Sequence, residues 1–418
     1  MFPASLHPLL IWTISLASIL CMLVRPRRVS EAWWVCAGAA VLVVLGLLPL
    51  RQAGHAVWEG LDVYLFLTGL MILAEMARVE RVFDWAAGVA AMHARGSPQR
   101  LFALVYGVGI GVTALLSNDA TAVVLTPAVL AVVRRARAGP KPYLLACALI
   151  ANAASFVFPI SNPANLVVFG RGIPPLMAWL KIFLLPSLAS IAVTFVCLRW
   201  QSRHALAGQI EGEAAPAPLT VEGKLALAGL LLAAGALIGA SAFGLPLGAL
   251  TCCAAAAALL VVAARNPRIL TRVARGIAWS VLPLVAGLFA IVEALENAGL
   301  RRAGEAGLQS VSALPVWMAK GASAFAVALV SNGMNNLPVG LMSGSVLRDA
   351  GHAGLVAHAL LIGVDLGPNL SVTGSLATIL WLIALRRENV EITAGEFFRI
   401  GLLAMPAALA ASLVLLWN

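Results

Sequence analysis

The 418-residue sequence predicts an all-α polytopic membrane protein: an inverted repeat of about ten transmembrane helices plus two re-entrant helical hairpins, with broken helices at the bilayer midplane. Three observations carry this expectation. Apolar residues make up 61% of the chain and charged residues only 11%, with the charges gathered between runs long enough to cross a bilayer. Polar landmarks recur between the two halves in the same order. Basic residues fall on alternate connections.

The apolar stretches lie at 6–24, 33–50, 60–77, 101–137, 142–170, 176–198, 224–243, 246–264, 276–295, 314–347, 355–385 and 396–417. Ten read as spans, and 101–137 and 314–347 as hairpins. The net charge of +10 follows the positive-inside pattern, which removes nucleic acid as the default partner. With the N-terminus outside and the linker 199–223 inside, the cytoplasmic loops hold Arg25, Arg27, Arg28, Arg134, Arg135, Arg137, Arg265, Arg268, Arg272, Arg275, Arg386 and Arg387. Only Arg51, Arg171, Lys181, Arg301, Arg302, Lys320 and Arg348 fall outside. The first run has no basic residue before it, so it is expected to be a retained anchor and not a cleaved signal.

The repeat rests on three matches. Ala114-Leu115-Leu116 leads into Ser117-Asn118-Asp119, and Ala328-Leu329-Val330 leads into Ser331-Asn332-Gly333, 214 positions later. Gly69-Leu70 with Glu75 recurs as Gly287-Leu288 with Glu293, and Ile160-Ser161-Asn162 as Val372-Thr373-Gly374. Landmarks in one order at one offset argue for duplication. The copies are 1–198, with hairpin 101–137 and broken helix 142–170, and 224–418, with hairpin 314–347 and broken helix 355–385. Between them lies the polar linker 199–223, read as a solvated cytoplasmic connection that includes Glu211, Glu213, Pro216 and Pro218. The charge pattern starts the first copy outside and the second inside, an inverted relation that supplies alternating access around one site.

Each arm of 101–137 has roughly 16 residues, about 24 Å of helix, short of a crossing of about 30 Å. A re-entrant hairpin fits better than two spans. Residues 331–336 form the tip of the matching hairpin. The two broken helices carry Pro159-Ile160-Ser161-Asn162-Pro163-Ala164-Asn165 and Asp365-Leu366-Gly367-Pro368-Asn369 through Thr373-Gly374-Ser375. Irregular backbone at membrane depth survives only where it is buried in protein or lines a wet cavity, so two tips and two breaks point to one pocket.

The pocket candidates are Ser117, Asn118, Ser161, Asn162, Asn165, Ser331, Asn332, Asn335, Asn336, Thr373 and Ser375. Asp119 and Asp365 are the acids placed inside the membrane, and each either exchanges a proton or caps a half-helix while ionised. No Lys, Arg or His sits at the four breaks. That lining suits a neutral polyhydroxylated solute, a small cation or a weakly charged anion better than a multiply charged anion. Glu75 and Glu293 read as structural or transport groups at the repeat interface, and His358 as a proton relay to Asp365 or a helix-entrance residue. The six cysteines lie within apolar runs with no metal-ligand spacing, so no metal and no cofactor is expected. Trp33, Trp34, Trp58, Trp200, Trp381 and Trp417 read as interface anchors, and Gly235/Gly239 and Gly244/Gly248 as weak close-packing signals. No Walker A, HExxH or GxSxG pattern is present, so the chain reads as a transporter and not an enzyme.

Asn118-Asp119 leading to Leu125-Thr126-Pro127, Met334-Asn335-Asn336-Leu337-Pro338, and Asp365-Leu366-Gly367-Pro368 continuing to Gly374-Ser375-Leu376-Ala377-Thr378-Ile379-Leu380-Trp381 resemble the arsenite/antimonite efflux permeases of the ion transporter superfamily. The resemblance implies export of trivalent arsenic and antimony hydroxides across a bacterial inner membrane, driven by the proton gradient or membrane potential. It also implies that a soluble arsenite-stimulated ATPase is a partner of some members. Asn152 stands where the family commonly has an acid, and Asn369 where a lysine is common. The alternatives are a sodium- or proton-coupled cation or carboxylate carrier of the same superfamily, and a channel-like subunit of an ATPase-driven pump.

Overall fold

The computed structural model describes residues 6–211, 216, 218–349 and 354–417. Glu213 and the other unnumbered part of the expected linker lie outside the described residues. The first half comprises α1 (His7–Val24), α2 (Glu31–Val44), α3 (Leu50–Glu59), α4 (Leu61–Val79), α5 (Val82–Ala94), α6 (Pro98–Leu115), α7 (Thr126–Arg135), α8 (Lys141–Ala153), α9 (Pro163–Phe169) and α10 (Leu176–Gln201). The second comprises α11 (Val221–Ala242), α12 (Leu247–Ala263), α13 (Arg268–Gly276), α14 (Val281–Asn297), α15 (Leu300–Ser312), α16 (Val316–Met334), α17 (Asn336–Asp349), α18 (Leu355–Leu366), α19 (Leu376–Arg387) and α20 (Ala394–Val414). The described residues form helices, turns and irregular segments without a strand.

The second list repeats the first element by element. Even the bends recur: α3 meets α4 at 48° and α13 meets α14 at 40°. The recurrent glycines now have a cause. A Cβ on Gly69 would lie 2.6 Å from the Thr251 backbone, and one on Gly287 would lie 2.9 Å from the Val35 side chain. Each glycine thus lets the central helix of one half cross closely over a helix of the other, α4 on α12 and α14 on α2.

Polar contacts sort the connections to two ends. Arg134 pairs with Glu388 at 3.0 Å, Arg137 with Glu211 at 2.7 Å and Lys141 with Glu396 at 2.6 Å. At the other end Asn297 bonds Gln52 at 2.9 Å, and Lys320 donates to the Leu413 and Leu416 carbonyls at 3.1 and 2.8 Å. The ends are opposite because α20 runs from Glu396 at the first to Leu413 at the second. Glu80, which follows α4, lies at the first end, where its carbonyl borders Gly223. Helix α14 instead ends at the second, so these counterparts run in opposite directions, as an inverted repeat requires.

Several expectations change. Five helices are long and apolar enough to cross a bilayer singly, and two bent pairs raise this to seven. The expected spans 33–50 and 246–264 are the shorter apolar helices α2 and α12, of 14 and 17 residues. The first hairpin arm is longer than expected because Ser97 caps its start, accepting from the Arg100 amide. The linker is pinned and not simply solvated: the Ile210 and Glu211 amides donate to the Gly96 and Ala136 carbonyls at 3.0 and 3.1 Å. Trp381 is fully buried against Phe397 instead of anchoring an interface, whereas Trp33, Trp58, Trp200 and Trp417 are exposed. Added Cβ atoms on Gly235 and Gly239 would meet open space, so that pair is not a helix-packing seam.

Candidate functional site

The first hairpin turns at Leu116-Ser117. Its reversal brings Thr121 back to Thr113, the two hydroxyls 2.8 Å apart. Ser117 caps the returning arm by accepting from the Ala120 amide at 3.2 Å, and the Asn118 side chain accepts from the Asp119 amide at 2.9 Å. Asp119 therefore sits in the first turn of that arm, where a carboxylate meets the positive end of the helix. The arm continues as a π-helical turn over Ala120–Leu125 before α7, an irregularity common at functional sites.

The second hairpin turns at a different register. Ser331-Asn332-Gly333 is the last turn of α16 and not an interruption, with Ser331 donating to the Val327 carbonyl at 2.9 Å. The break is Asn335, at φ 74°, whose side chain accepts from the Leu337 amide at 3.2 Å. The structural counterpart of Ser117 is thus Asn335, one helical turn beyond the sequence match. The place of Asp119 is taken by apolar Leu337.

Both broken helices restart after an extended residue, Asn162 at φ −148° before α9 and Ser375 at φ −140° before α19. Ser375 and Asn336 are buried. Asn162 works in two directions: its oxygen accepts from the Ala164 amide at 3.0 Å, and its nitrogen donates to Asp365 Oδ1 at 2.7 Å. This ties the first break to the second half. Asp365 is fully buried, and its Oδ2 has no partner among the described residues. Ser161 donates to the Ala114 carbonyl at 3.0 Å, fastening this break to the first hairpin. Asn165 donates to the carbonyls of Ser155, Phe158 and Pro159, so it serves local backbone. In the second half Asn332 donates to the Gly367 carbonyl at 2.9 Å, while its own oxygen and carbonyl accept from Ser371 and Thr373.

A cavity of about 240 Å³ opens beside the first tip. Ser117, Asp119, Ala120, Val123 and Val124 form one wall, Leu67 through Arg78 of α4 another, and Gly276 through Val281 with Leu376 and Leu380 the rest. Pro163 closes it, adjoining Asn162 and hence Asp365. Asn335 borders only a space of about 10 Å³. Of the expected ligands, Ser117 and Asp119 line the large cavity; Asn118, Ser161, Asn162, Asn165, Ser331, Asn332, Asn336, Thr373 and Ser375 do not. Sequence reading missed Arg78, which is on the wall in an ion pair with Glu75 whose carboxylate packs against Gly276. The three-residue helical spacing of Glu75 and Arg78 was its available signal. It also missed the bond from Asn152 to Asn369 at 3.0 Å, an amide pair joining α8 to the second break. His358 lies among the rings of Phe169 and Phe183. No group of three His, Cys, Asp or Glu among the described residues forms a metal cluster.

Inverted halves, paired hairpins and broken helices around an internal cavity define a multi-pass membrane transporter. The chain belongs to the CitMHS family, whose model, described as citrate transporter, matches residues 9–367. It is 28% identical over 417 residues to the arsenical pump membrane protein of Escherichia coli K12, covering 94% of this chain and 95% of that one. The arsenical pump membrane protein of Yersinia enterocolitica is 26% identical over 410 residues, again covering 94% and 95%. An uncharacterized transporter of Mycobacterium tuberculosis is 26% identical over 431 residues, covering 95% of each. The resemblance to arsenical permeases is therefore borne out along nearly the whole chain. In fold, the crystal structure of the Alcanivorax borkumensis YdaH transporter, which has an unusual topology, matches with a TM-score of 0.59 at 14% identity, over 92% of this chain and 96% of that one.

Proposed function

We propose that the chain exports trivalent arsenic and antimony hydroxides from the bacterial cytoplasm across the inner membrane, driven by the proton gradient or the membrane potential. The carrying observation is the cavity lining: one hydroxyl, Ser117, and one carboxylate, Asp119, against apolar walls, with the charge of Arg78 already matched by Glu75. Such a site suits a small neutral hydroxide and offers no free cation to a carboxylate or phosphate. The names of the arsenical pump relatives support the same cargo.

Residues 1–198 and 224–418 act as the two inverted copies, and the linker end of the molecule faces the cytoplasm. Both termini then lie on the periplasmic side, and the cavity mouth at Arg78 and Gly276 opens inward, as an exporter needs for loading. Asp119 exchanges its proton with cargo in the cavity. Asp365, reached through Asn162 and Pro163, carries the second exchangeable proton. The remaining amides and hydroxyls of the four breaks meet the cargo as the hairpins move. A soluble arsenite-stimulated ATPase is an optional partner of this cycle, not a requirement for it.

The test is arsenite uptake into inside-out proteoliposomes of purified protein under an imposed proton gradient or potential, with Asp119→Asn and Asp365→Asn beside wild type. Gradient-driven uptake lost in a variant supports the reading. No uptake by folded protein under any gradient refutes it. A second reading, a sodium- or proton-coupled carboxylate carrier, draws on the description of the family model and on Arg78 in the wall. It requires Arg78 to leave Glu75 when an anion binds.

A further inference from the structure

Helix α13 carries a charged face that the cargo site does not use. Arg268, Arg272 and Arg275 recur at i, i+4 and i+7, with Arg265 one turn ahead, and all four are exposed. The adjoining stripe, Ile269 and Val273 with Ile277 beyond the helix end, is buried against α4 and α12. Leu270 and Trp279 stay exposed at 40% and 46%, Leu270 on the flank of the helix away from the arginines. None of the four arginines forms an ion pair among the described residues. The carboxylates facing the helix are Glu75, which meets Gly276 at its end and is paired with Arg78; Glu80, whose field reaches Arg272; and Glu222 beside Glu80.

The counterpart helix α3 provides an internal comparison. The same bent-pair architecture there holds Arg51, His55 and Glu59, with no basic stripe. The bent pair alone therefore does not require arginines; the positive-inside pattern favours basic residues at this end, and their stripe on one face of α13 is the further feature. An amphipathic helix at the end of spanning segments, with unpaired guanidinium groups on one exposed flank and Leu270 on the other, fits the headgroup layer of a membrane. Guanidinium recognises phosphate oxygens in a planar fork.

We propose that Arg265, Arg268, Arg272 and Arg275 form a docking surface for the phosphate headgroups of anionic lipids. The surface is coupled to the transport cavity, because the chain from Gly276 to Val281, immediately after the arginine stripe, is part of the cavity wall and Gly276 bears on the Glu75 carboxylate. A bound headgroup holds that wall in place.

The experiment is native mass spectrometry of the purified full chain, titrated with phosphatidylglycerol or phosphatidylcholine of equal acyl composition. Wild type is expected to retain phosphatidylglycerol in at least about tenfold preference, since clustered basic residues favour anionic headgroups. R268Q/R272Q/R275Q is expected to lose most of that preference, R268Q alone part of it, and R386Q/R387Q, which removes exposed charge elsewhere on the same end, none. Equal retention of the two lipids by wild type overturns the proposal. So does an undiminished preference in R268Q, an equal loss in R386Q/R387Q, or displacement of the lipid by millimolar inorganic phosphate.

Discussion

The bond from Asn162 to Asp365 makes a quantitative prediction, because Asn162 performs two separable tasks. Asn162→Ala removes the cap on the Ala164 amide, which costs about 0.5–2 kcal/mol. It also leaves a fully buried carboxyl without its amide partner, which costs about 1–3 kcal/mol more. The total of about 1.5–5 kcal/mol is large for a side chain that touches no bulk solvent. Asn162→Ser keeps a side-chain oxygen able to cap the Ala164 amide and should lose only the second contribution. In an Asp365→Ala background the cost of Asn162→Ala should fall to the cap alone, about 1 kcal/mol. The assay is reversible unfolding of the purified protein in mixed micelles, read as a double-mutant cycle. A cost for Asn162→Ala that is the same in both backgrounds, within about 0.5 kcal/mol, would refute the coupling.

Gly69→Ala and Gly287→Ala should each destabilise by about 1–3 kcal/mol through overpacking at the two helix crossings, while Gly235→Ala, facing open space, should not, as thermal unfolding in detergent would read. At the second hairpin, Asn335→Gly should be tolerated and Asn335→Val should cost about 1–3 kcal/mol, since its φ of 74° suits a residue without Cβ; a tolerated valine in the same unfolding assay would count against the turn. Burial, and then the charge of Glu222, raise the Glu80 carboxyl above its ordinary range, with Arg272 partly opposing. A raised folded-state pKa gives stability that is present below the unfolded pKa and lost as pH rises through the folded one. Glu80→Gln should therefore raise the melting temperature at neutral pH, with the gain shrinking as pH falls from the raised folded-state value to the ordinary carboxylate value; a gain independent of pH would contradict that origin.

Much of this architecture was legible because membrane depth penalises what soluble proteins tolerate. The breaks at Asn162 and Ser375, the turn at Ser117 and the paired glycines Gly69 and Gly287 stand out as polar or small residues inside apolar runs. The register of the second hairpin did not. Ser331-Asn332-Gly333 matches Ser117-Asn118-Asp119 in letters, yet the helix there continues for one more turn because Ser331 and Asn332 bond back to carbonyls of α16. Short amphipathic helices such as α3, α13 and α15 escaped notice, being too brief and too mixed for a hydropathy run. The cavity was only half visible: its tip residues announce themselves, whereas Arg78, Gly276 and Leu376 reach it only through helix crossings that no local pattern encodes.

The most direct measurement is flux of arsenite and of citrate, side by side, into inside-out proteoliposomes under a proton gradient, for wild type and for Val124→Trp, which places an indole into the cavity. The account predicts arsenite uptake by wild type without sodium, little or no citrate uptake, and loss of arsenite uptake in the folded variant. Citrate uptake in place of arsenite, or arsenite uptake undiminished by Val124→Trp, would contradict it.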